Sequence, residues 1–230
     1  MKISIIIPTI NEENNLSDVL SLIAENTYKE IEVIVVDGGS TDGTQRIAQE
    51  ANNVKLLVSE IQSRAVQMNL GVQQAKGDVF YFVHADARPP ESFPEDIALC
   101  LKNGSDFGCY RFKFDKNSFM LRFNAWWTRF PFMFCRGGDQ TLFIKKQIFE
   151  QLNGFNEDYI IMEDFDIIRR AKKKYKFAII PKAVMVSTRK YTTNSYFRVN
   201  MVNLWSYWMF MLGASPEYIK AFYKKRLRPY

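Results

Sequence analysis

The stretch that decides the fold is Ile31-Glu-Val-Ile-Val-Val-Asp37-Gly-Gly-Ser-Thr-Asp-Gly-Thr44, a β-branched run that ends in an acid and a glycine-rich turn. A short apolar run bounded by turn residues and followed by a helical pattern reads as one strand of a parallel α/β sheet. The unit recurs on both sides of it. Residues 3–8 read as a strand leading to a helix over about 12–26, and residues 42–51 as the helix after the quoted strand. Residues 54–59 lead to a helix over about 62–75, capped by Gly77. Asp78-Val-Phe-Tyr-Phe-Val83 then forms a strand that ends in His84-Ala-Asp86. Such units build a doubly wound sheet with right-handed crossovers, whose ligand crevice lies beyond the carboxyl ends of the strands. Asp37 and Asp86 therefore face one crevice, suited to a nucleotide and a metal.

After Pro89-Pro90 the pattern changes. A helix over 91–102 precedes the alternating run Phe107-Gly-Cys-Tyr-Arg-Phe-Lys-Phe114, a half-exposed strand. An aromatic-rich stretch over 119–134, a short strand over 141–144, a helix over 145–152 and a helix opening at Glu163-Asp164 follow. No linker, repeat or low-complexity tract interrupts the chain. The expectation is one α/β domain over residues 1–230, with a mostly parallel central sheet in residues 1–105 and a mixed second half in 106–230.

With 230 residues and 47% apolar content, the chain is long enough to bury a large core. A formal charge of +6 suits an anionic partner without choosing among nucleotide, lipid surface and nucleic acid. Nucleic acid is set aside, because the basic residues fall in two short clusters with no recognition motif. Cys100, Cys109 and Cys135 are an odd, unpaired set that fits buried thiols in a reducing compartment. The N-terminal apolar run is closed by Pro8 and is too short for a signal peptide. Residues 199–214 come closest to a spanning helix but are broken by Asn200, Asn203 and Ser206. A cytoplasmic protein is expected. The aromatic runs over 119–134 and 199–212 read as core or a homodimer contact, with peripheral contact at the inner membrane surface as the minority reading.

Each candidate site residue has two readings. Asp37 ends a buried strand and offers an acceptor to the imide N–H of a uracil ring, whereas Asp42 reads as a helix N-cap. Neither the phosphate-loop nor the dinucleotide glycine pattern is satisfied, since Thr44 stands where the former needs lysine. Asp86 suits Mg²⁺ or Mn²⁺, hard cations that prefer oxygen ligands and retain substrate phosphates; otherwise it is a loop acid capping the next helix. Glu163 and Asp164 read either as acids held by the helix dipole or as a general base that the dipole keeps ionised. Arg64 opens a helix, where a bound phosphate would offset its charge; otherwise it is a solvated surface cation.

Pro8-Thr-Ile-Asn-Glu12, Asp37-Gly-Gly-Ser-Thr-Asp-Gly43, Ala85-Asp86 and Glu163-Asp164, in this order, resemble the family-2 inverting glycosyltransferases of GT-A fold. Ser63-Arg-Ala-Val-Gln-Met-Asn69, His84-Ala-Asp-Ala-Arg-Pro-Pro90 and Gly138-Asp-Gln140 are similar to the transferases associated with radical-SAM and selenodomain proteins. The resemblance implies a nucleotide-diphosphate sugar donor, UDP favoured, and an unknown hydroxyl acceptor. It places Pro8, Thr9, Glu12 and Asp37 at the nucleoside and Arg64 near the base or diphosphate. It makes Asp86 the ligand of a divalent metal (Mn²⁺ or Mg²⁺), and Asp164 the general base supported by Glu163. Gly138, Asp139 and Gln140 would line the sugar and acceptor side. Two other readings stand beside it. A nucleotidyltransferase would want a basic glycine-rich run after the first strand, which Pro8-Thr-Ile-Asn-Glu12 lacks, and a non-catalytic nucleotide or membrane-surface module would keep the fold alone.

Overall fold

The structure, a computed structural model, describes residues 1–228. Its first half follows the sequence pattern. Strands β1 (Ile3–Thr9), β2 (Ile31–Asp37), β3 (Val54–Val58) and β4 (Val79–Phe82) are parallel, and helices α1 (Glu13–Ala24), α2 (Thr44–Glu50) and α3 (Arg64–Gln73) connect them. Every residue of β1 is buried, as a strand covered on both faces requires. Ile5, Ile7, Val33 and Val35 pack into one core with Leu16 and Val19 of α1. Ile6, Ile34 and Val36, one residue out of phase, pack into the other with Ala65 and Met68 of α3. Helix α3 lies so close to β1 that a Cβ on Gly71 would meet Ile6 at 2.6 Å, which fixes glycine there.

The strand order is β3-β2-β1-β4-β7-β6-β8-β5. The chain runs outward from β1 to β3 and then returns to place β4 on β1's other side. The carboxyl ends of β1 and β4 therefore flank the switch point where doubly wound sheets bind ligands. Pairing of β1 with β4 stops at Ile6, and Pro8, which has no N–H to donate, lies past that point.

The second half is mixed. Strand β7 (Leu142–Lys145) runs antiparallel to β4 and to β6 (Phe107–Phe114), β8 (Phe177–Val186) runs parallel to β6, and the two-residue β5 (Ala87–Arg88) closes the edge against β8. Helices α4 (Phe93–Lys102), α5 (Phe119–Trp127), α6 (Lys146–Gln151), α7 (Glu163–Ala171), α8 (Lys190–Thr193), α9 (Tyr196–Met211) and α10 (Pro216–Arg226) surround it. Strands β5 and β8 are absent from the sequence reading. Strand β8 contains Pro181, which argues against an interior strand. The fold solves this with a register shift: Tyr110 faces Ile180 and Arg111 faces Ala183, so Pro181 and Lys182 are left out of the ladder.

The aromatic stretches are only half core. Val199, Val202, Tyr207 and Phe210 are buried, but Phe119, Phe123, Trp126, Trp205 and Trp208 are exposed. The three cysteines are free thiols. No helix among the described residues is long and apolar enough to cross a membrane.

Candidate active site

The turn after β2 is built around Asp37. Its Oδ2 accepts the backbone N–H groups of Gly39 (2.9 Å) and Ser40 (2.8 Å) and the Gln45 amide (2.7 Å), while its Oδ1 accepts the Ser40 hydroxyl. Gly39 holds φ +89°, a conformation that glycine adopts without cost. Gly38 backs onto Gln67 of α3, where a Cβ would meet the amide at 3.1 Å. Gln67 in turn donates to Thr9 O (2.9 Å) and Val36 O (2.7 Å), tying the ends of β1 and β2 together. Asp37 is fully buried, and so are Pro8 and Thr9. Both Asp37 oxygens accept from donors of its own loop and α2, so the side chain sets the shape of residues 38–43.

That loop is laced to the turn after β1. Asn11 N–H donates to Ser40 Oγ (2.9 Å), Thr41 N–H to Asn11 Oδ1 (2.9 Å), and Gly43 N–H to Glu13 Oε2 (2.8 Å). Asp42 stands one residue before the α2 N-cap, Gly43, and accepts from Thr44 N–H (3.0 Å). Its structural reading is right in kind and off by one position.

Glu12 and Asp86 meet on a residue that the sequence reading did not single out. Arg189, just beyond β8, makes a two-pronged pair with Glu12 (Nη1–Oε2 2.8 Å) and reaches to 3.6 Å from Asp86 Oδ2. One guanidinium thus joins the ends of β1, β4 and β8. Asp86 does not cap α4, whose N-cap is Ser92. Lys190 carries the next charge and donates to Asp139 Oδ2 (2.6 Å). Burial alone would raise the Asp139 carboxyl, but the Lys190 ammonium outweighs it and brings the pKa down to about 2.

The acids of α7 sit across the crevice. Glu163 and Asp164 are both buried, at 2% and 7% exposure. Arg64, at the first turn of α3, approaches Glu163 at 3.9 Å with half its side chain exposed. Burial pushes the Asp164 carboxyl up, to about 7, and the Glu163 charge adds to the rise against the pull of His84 and Arg64. Burial raises Glu163 as well, opposed by Arg64. This reverses the sequence expectation that the helix dipole keeps the acid ionised. A rise of that size is on the order of 4 kcal/mol, several times the roughly 0.3–1 kcal/mol of a helix terminus. Burial, with Arg64, lowers the pKa of His84, the chain's single histidine, against the opposing pull of Asp164 and Asp86. The third acid of the turn, Asp166, is structural: it holds Arg170 (2.7 Å), which ties α7 to the carbonyls of Leu152 and Gly154.

Three of the five non-glycine residues at positive φ among the described residues lie in these loops. Asn11, Thr141 and Met162 are non-glycine residues at φ +52° (Asn11), +56° (Thr141) and +73° (Met162). A β-branched residue there is a true outlier; the Thr141 hydroxyl is anchored to Tyr81 Oη (3.0 Å) and the Gln140 carbonyl. Such strain persists where surrounding structure fixes it, typically at ligand sites.

Beside these loops a cavity of about 430 Å³ runs toward the aromatic surface. Arg64, Asp139, Gln140 and Lys190 line its polar end; Phe123, Trp127, Phe134 and Leu204 line its apolar end. Met162 and Phe165, on either side of Glu163-Asp164, also line it. Gly138 and Asp139 lie in the 3-10 turn Gly138–Gln140. Gln140 is buried, and its Nε2 has no hydrogen-bond partner among the described residues. Arg136, also buried, gives its guanidinium to Thr128 O, Phe130 O and the Cys109 sulfur (3.1 Å), with no carboxylate among these partners.

Residues 4–174 match the profile of Glycosyl transferase family 2, about three-quarters of the chain. The chain belongs to that family. Similar curated proteins include glycosyltransferase AglE of Haloferax volcanii, 34% identical over 40% of this chain and 33% of its own. The dolichol-phosphate mannosyltransferase of Pyrococcus furiosus is 41% identical over 46% of this chain and 32% of its own. The chain thus spans about a third of the length of these relatives. Among solved structures, the mannosyltransferase PcManGT of Pyrobaculum calidifontis, in complex with GDP-Man and Mn²⁺, superposes with a TM-score of 0.70 at 18% identity, over 96% of this chain and 68% of that one. TarS 1-349 of S. aureus, in complex with UDP-GlcNAc, superposes with a TM-score of 0.65 at 19% identity, over 98% and 71%. The GT-A fold follows from these superpositions.

Proposed function

We propose that this chain is an inverting glycosyltransferase that moves a sugar from a nucleotide-diphosphate donor to a hydroxyl group presented through the cavity. The observation that carries the proposal is Asp164: a buried carboxyl with a pKa of about 7, in the helix turn whose Met162 and Phe165 line a cavity with one polar and one apolar end. A base poised near the working pH is what hydroxyl activation needs.

The donor's nucleoside lies against the loops at 9–12 and 38–43. Arg64 and the Arg189–Lys190 pair offer positive charge toward the diphosphate. Asp164 takes the acceptor proton as its oxygen attacks the anomeric carbon, the bond to the diphosphate breaks on the opposite face, and the nucleoside diphosphate leaves with the bonding electrons. Glu163 raises the basicity of Asp164. The unpartnered Nε2 of Gln140 and the buried Arg136 suit a polar or anionic group on the acceptor.

Among the described residues no cluster of three His, Cys, Asp or Glu side chains forms a metal cage. Asp86 is the one carboxylate at the end of β4, and one carboxylate plus substrate phosphates is a normal donor set for Mg²⁺. The residues therefore fit a divalent ion that Asp86 would hold and that would offset the charge growing on the leaving group. The solved relatives bound to UDP-GlcNAc and to GDP-Man with Mn²⁺ support a donor and metal of this class. UDP is favoured, acting through the loop that Asp37 shapes.

Thermal unfolding with nucleoside diphosphates tests this reading. At about a hundredfold excess over Kd a ligand adds about 2.7 kcal/mol, which at roughly 2–4 °C per kcal/mol raises Tm by about 5–10 °C. UDP is expected to do so with Mn²⁺ and far less without it, and Asp86→Ala is expected to erase the difference. A shift with GDP in place of UDP would correct the base; no shift with any nucleotide would leave only a module that keeps the fold.

The Asp164 environment adds a pH test. Glu163→Gln removes the neighbouring negative charge, so Asp164 ionises at lower pH. The acid limb of kcat/KM is expected to move down from near 7, with the maximal rate reduced because the base is weaker. An unmoved limb would assign it to another group.

A further inference from the structure

We infer that the exposed aromatic face formed by α5 and α9 is a docking surface for an anionic lipid bilayer. The solvent-facing side of α9 carries Phe197, Met201, Leu204, Trp205, Trp208 and Leu212, at helical spacing, while Val199, Val202, Ser206 and Phe210 face inward. Helix α5 repeats the pattern with Phe119, Phe123 and Trp126, and Phe132 and Phe134 continue it. The two helices are neighbours: Asn124 Nδ2 donates to Asn200 Oδ1 (2.7 Å) and the Tyr196 hydroxyl to Met120 O (3.0 Å). All four tryptophans of the chain, Trp126, Trp127, Trp205 and Trp208, lie on these two helices. Trp and Phe on the exposed face of a helix, with cations beside them, are the side chains that settle in a membrane interface. Exposed apolar area of this extent marks an interaction site.

Charge selects the occupant. A second cavity of about 440 Å³ opens between α9 and α10, lined by Arg198, Lys225 and Arg226 together with Met201, Trp205 and Phe222, and no carboxylate lines it. Arg226 lies over the Phe222 ring at 4.0 Å, which holds it beside the apolar stripe. Lys225 and Arg226, from the basic run at 224–228, thus form the rim of this groove. Three cations beside exposed tryptophans match lipid phosphates. A second copy docked through the same face would set these cations against their own kind, which disfavours a dimer. The apolar end of the first cavity reaches the same face, because Phe123, Phe134 and Leu204 both line it and are exposed. Docking therefore places the cavity mouth at the lipid boundary.

The test uses the purified full chain and vesicles of phosphatidylcholine with and without phosphatidylglycerol, and no sugar donor, so it is independent of the transferase reading. The chain is expected to float with the anionic vesicles, to be released as salt screens the cations, and to show a blue-shifted tryptophan emission when bound. Trp205→Ala with Trp208→Ala, and separately Arg198→Ser with Lys225→Ser and Arg226→Ser, are each expected to weaken binding by at least about tenfold. These side chains are largely exposed, and circular dichroism with an unchanged Tm checks that the variants fold. A chain that stays unbound on both vesicle types overturns the proposal. So does a concentration-dependent dimer that the tryptophan variants abolish, since a second copy would then cover the face.

Discussion

Asp164→Asn is expected to lower kcat by about 10²–10⁴-fold, the usual worth of a general base, to leave nucleotide affinity unchanged, and to raise the melting temperature above pH 7. The last effect follows from burial. The folded pKa of Asp164 is raised from the ordinary 3.8 to about 7, so folding favours the protonated acid. That contribution is fully present below the unfolded value and is lost as pH rises through the folded one. At pH 8 the wild type holds an ionised carboxylate that the site disfavours, and asparagine does not. The gain in Tm should be several degrees at pH 8, given roughly 2–4 °C per kcal/mol for a chain of this size, and should vanish below about pH 4. Calorimetry at the two pH values, beside single-turnover kinetics, measures both halves. A variant that is inactive and also less stable at pH 8 would make Asp164 a structural acid; one that keeps kcat within tenfold would remove it from the chemistry.

The parallel half was legible because both of its signals are local. Short runs rich in Val, Ile, Phe and Tyr, repeated with helical patterns between them, leave one architecture, and β1 to β4 appear where the pattern puts them. Strand β8 was not legible, because Pro181 contradicts the local rule and only the register shift against β6 resolves it. The crevice acids were visible as types but not as states. Asp37 looks like a free acceptor in sequence and is in fact the hub of its own turn. Asp164 looks like an acid stabilised by a helix terminus, and burial, which no local pattern reports, decides the opposite. Arg189 lay beyond reach for a further reason: its partner Glu12 is 177 residues away in sequence, and it reaches Glu12 only because β8 ends beside β1's loop.

Arg189→Met should show how much that long-range contact matters. Glu12 keeps only 11% of its side chain exposed, against 32% for Arg189. Removing the cation leaves a nearly buried carboxylate held by Asn15 alone among its side-chain partners (2.8 Å). Breaking a fully buried pair costs about 3–5 kcal/mol, and partial exposure of the arginine brings the expected loss to about 2 kcal/mol, a fall of about 4–8 °C in Tm. The chain should also lose at least about tenfold in kcat/KM, because the loops after β1 and β4 are no longer held by one guanidinium. Glu12→Gln combined with Arg189→Met separates these effects. The amide needs no counter-charge, so the double variant should regain most of the lost stability while its rate stays low. If the rate returns along with Tm, Arg189 serves only to neutralise Glu12. If Tm stays low with the rate, the contact to Asp86 at 3.6 Å carries the stability instead, and Arg189 is the element that holds the metal-side loop in place before the donor arrives.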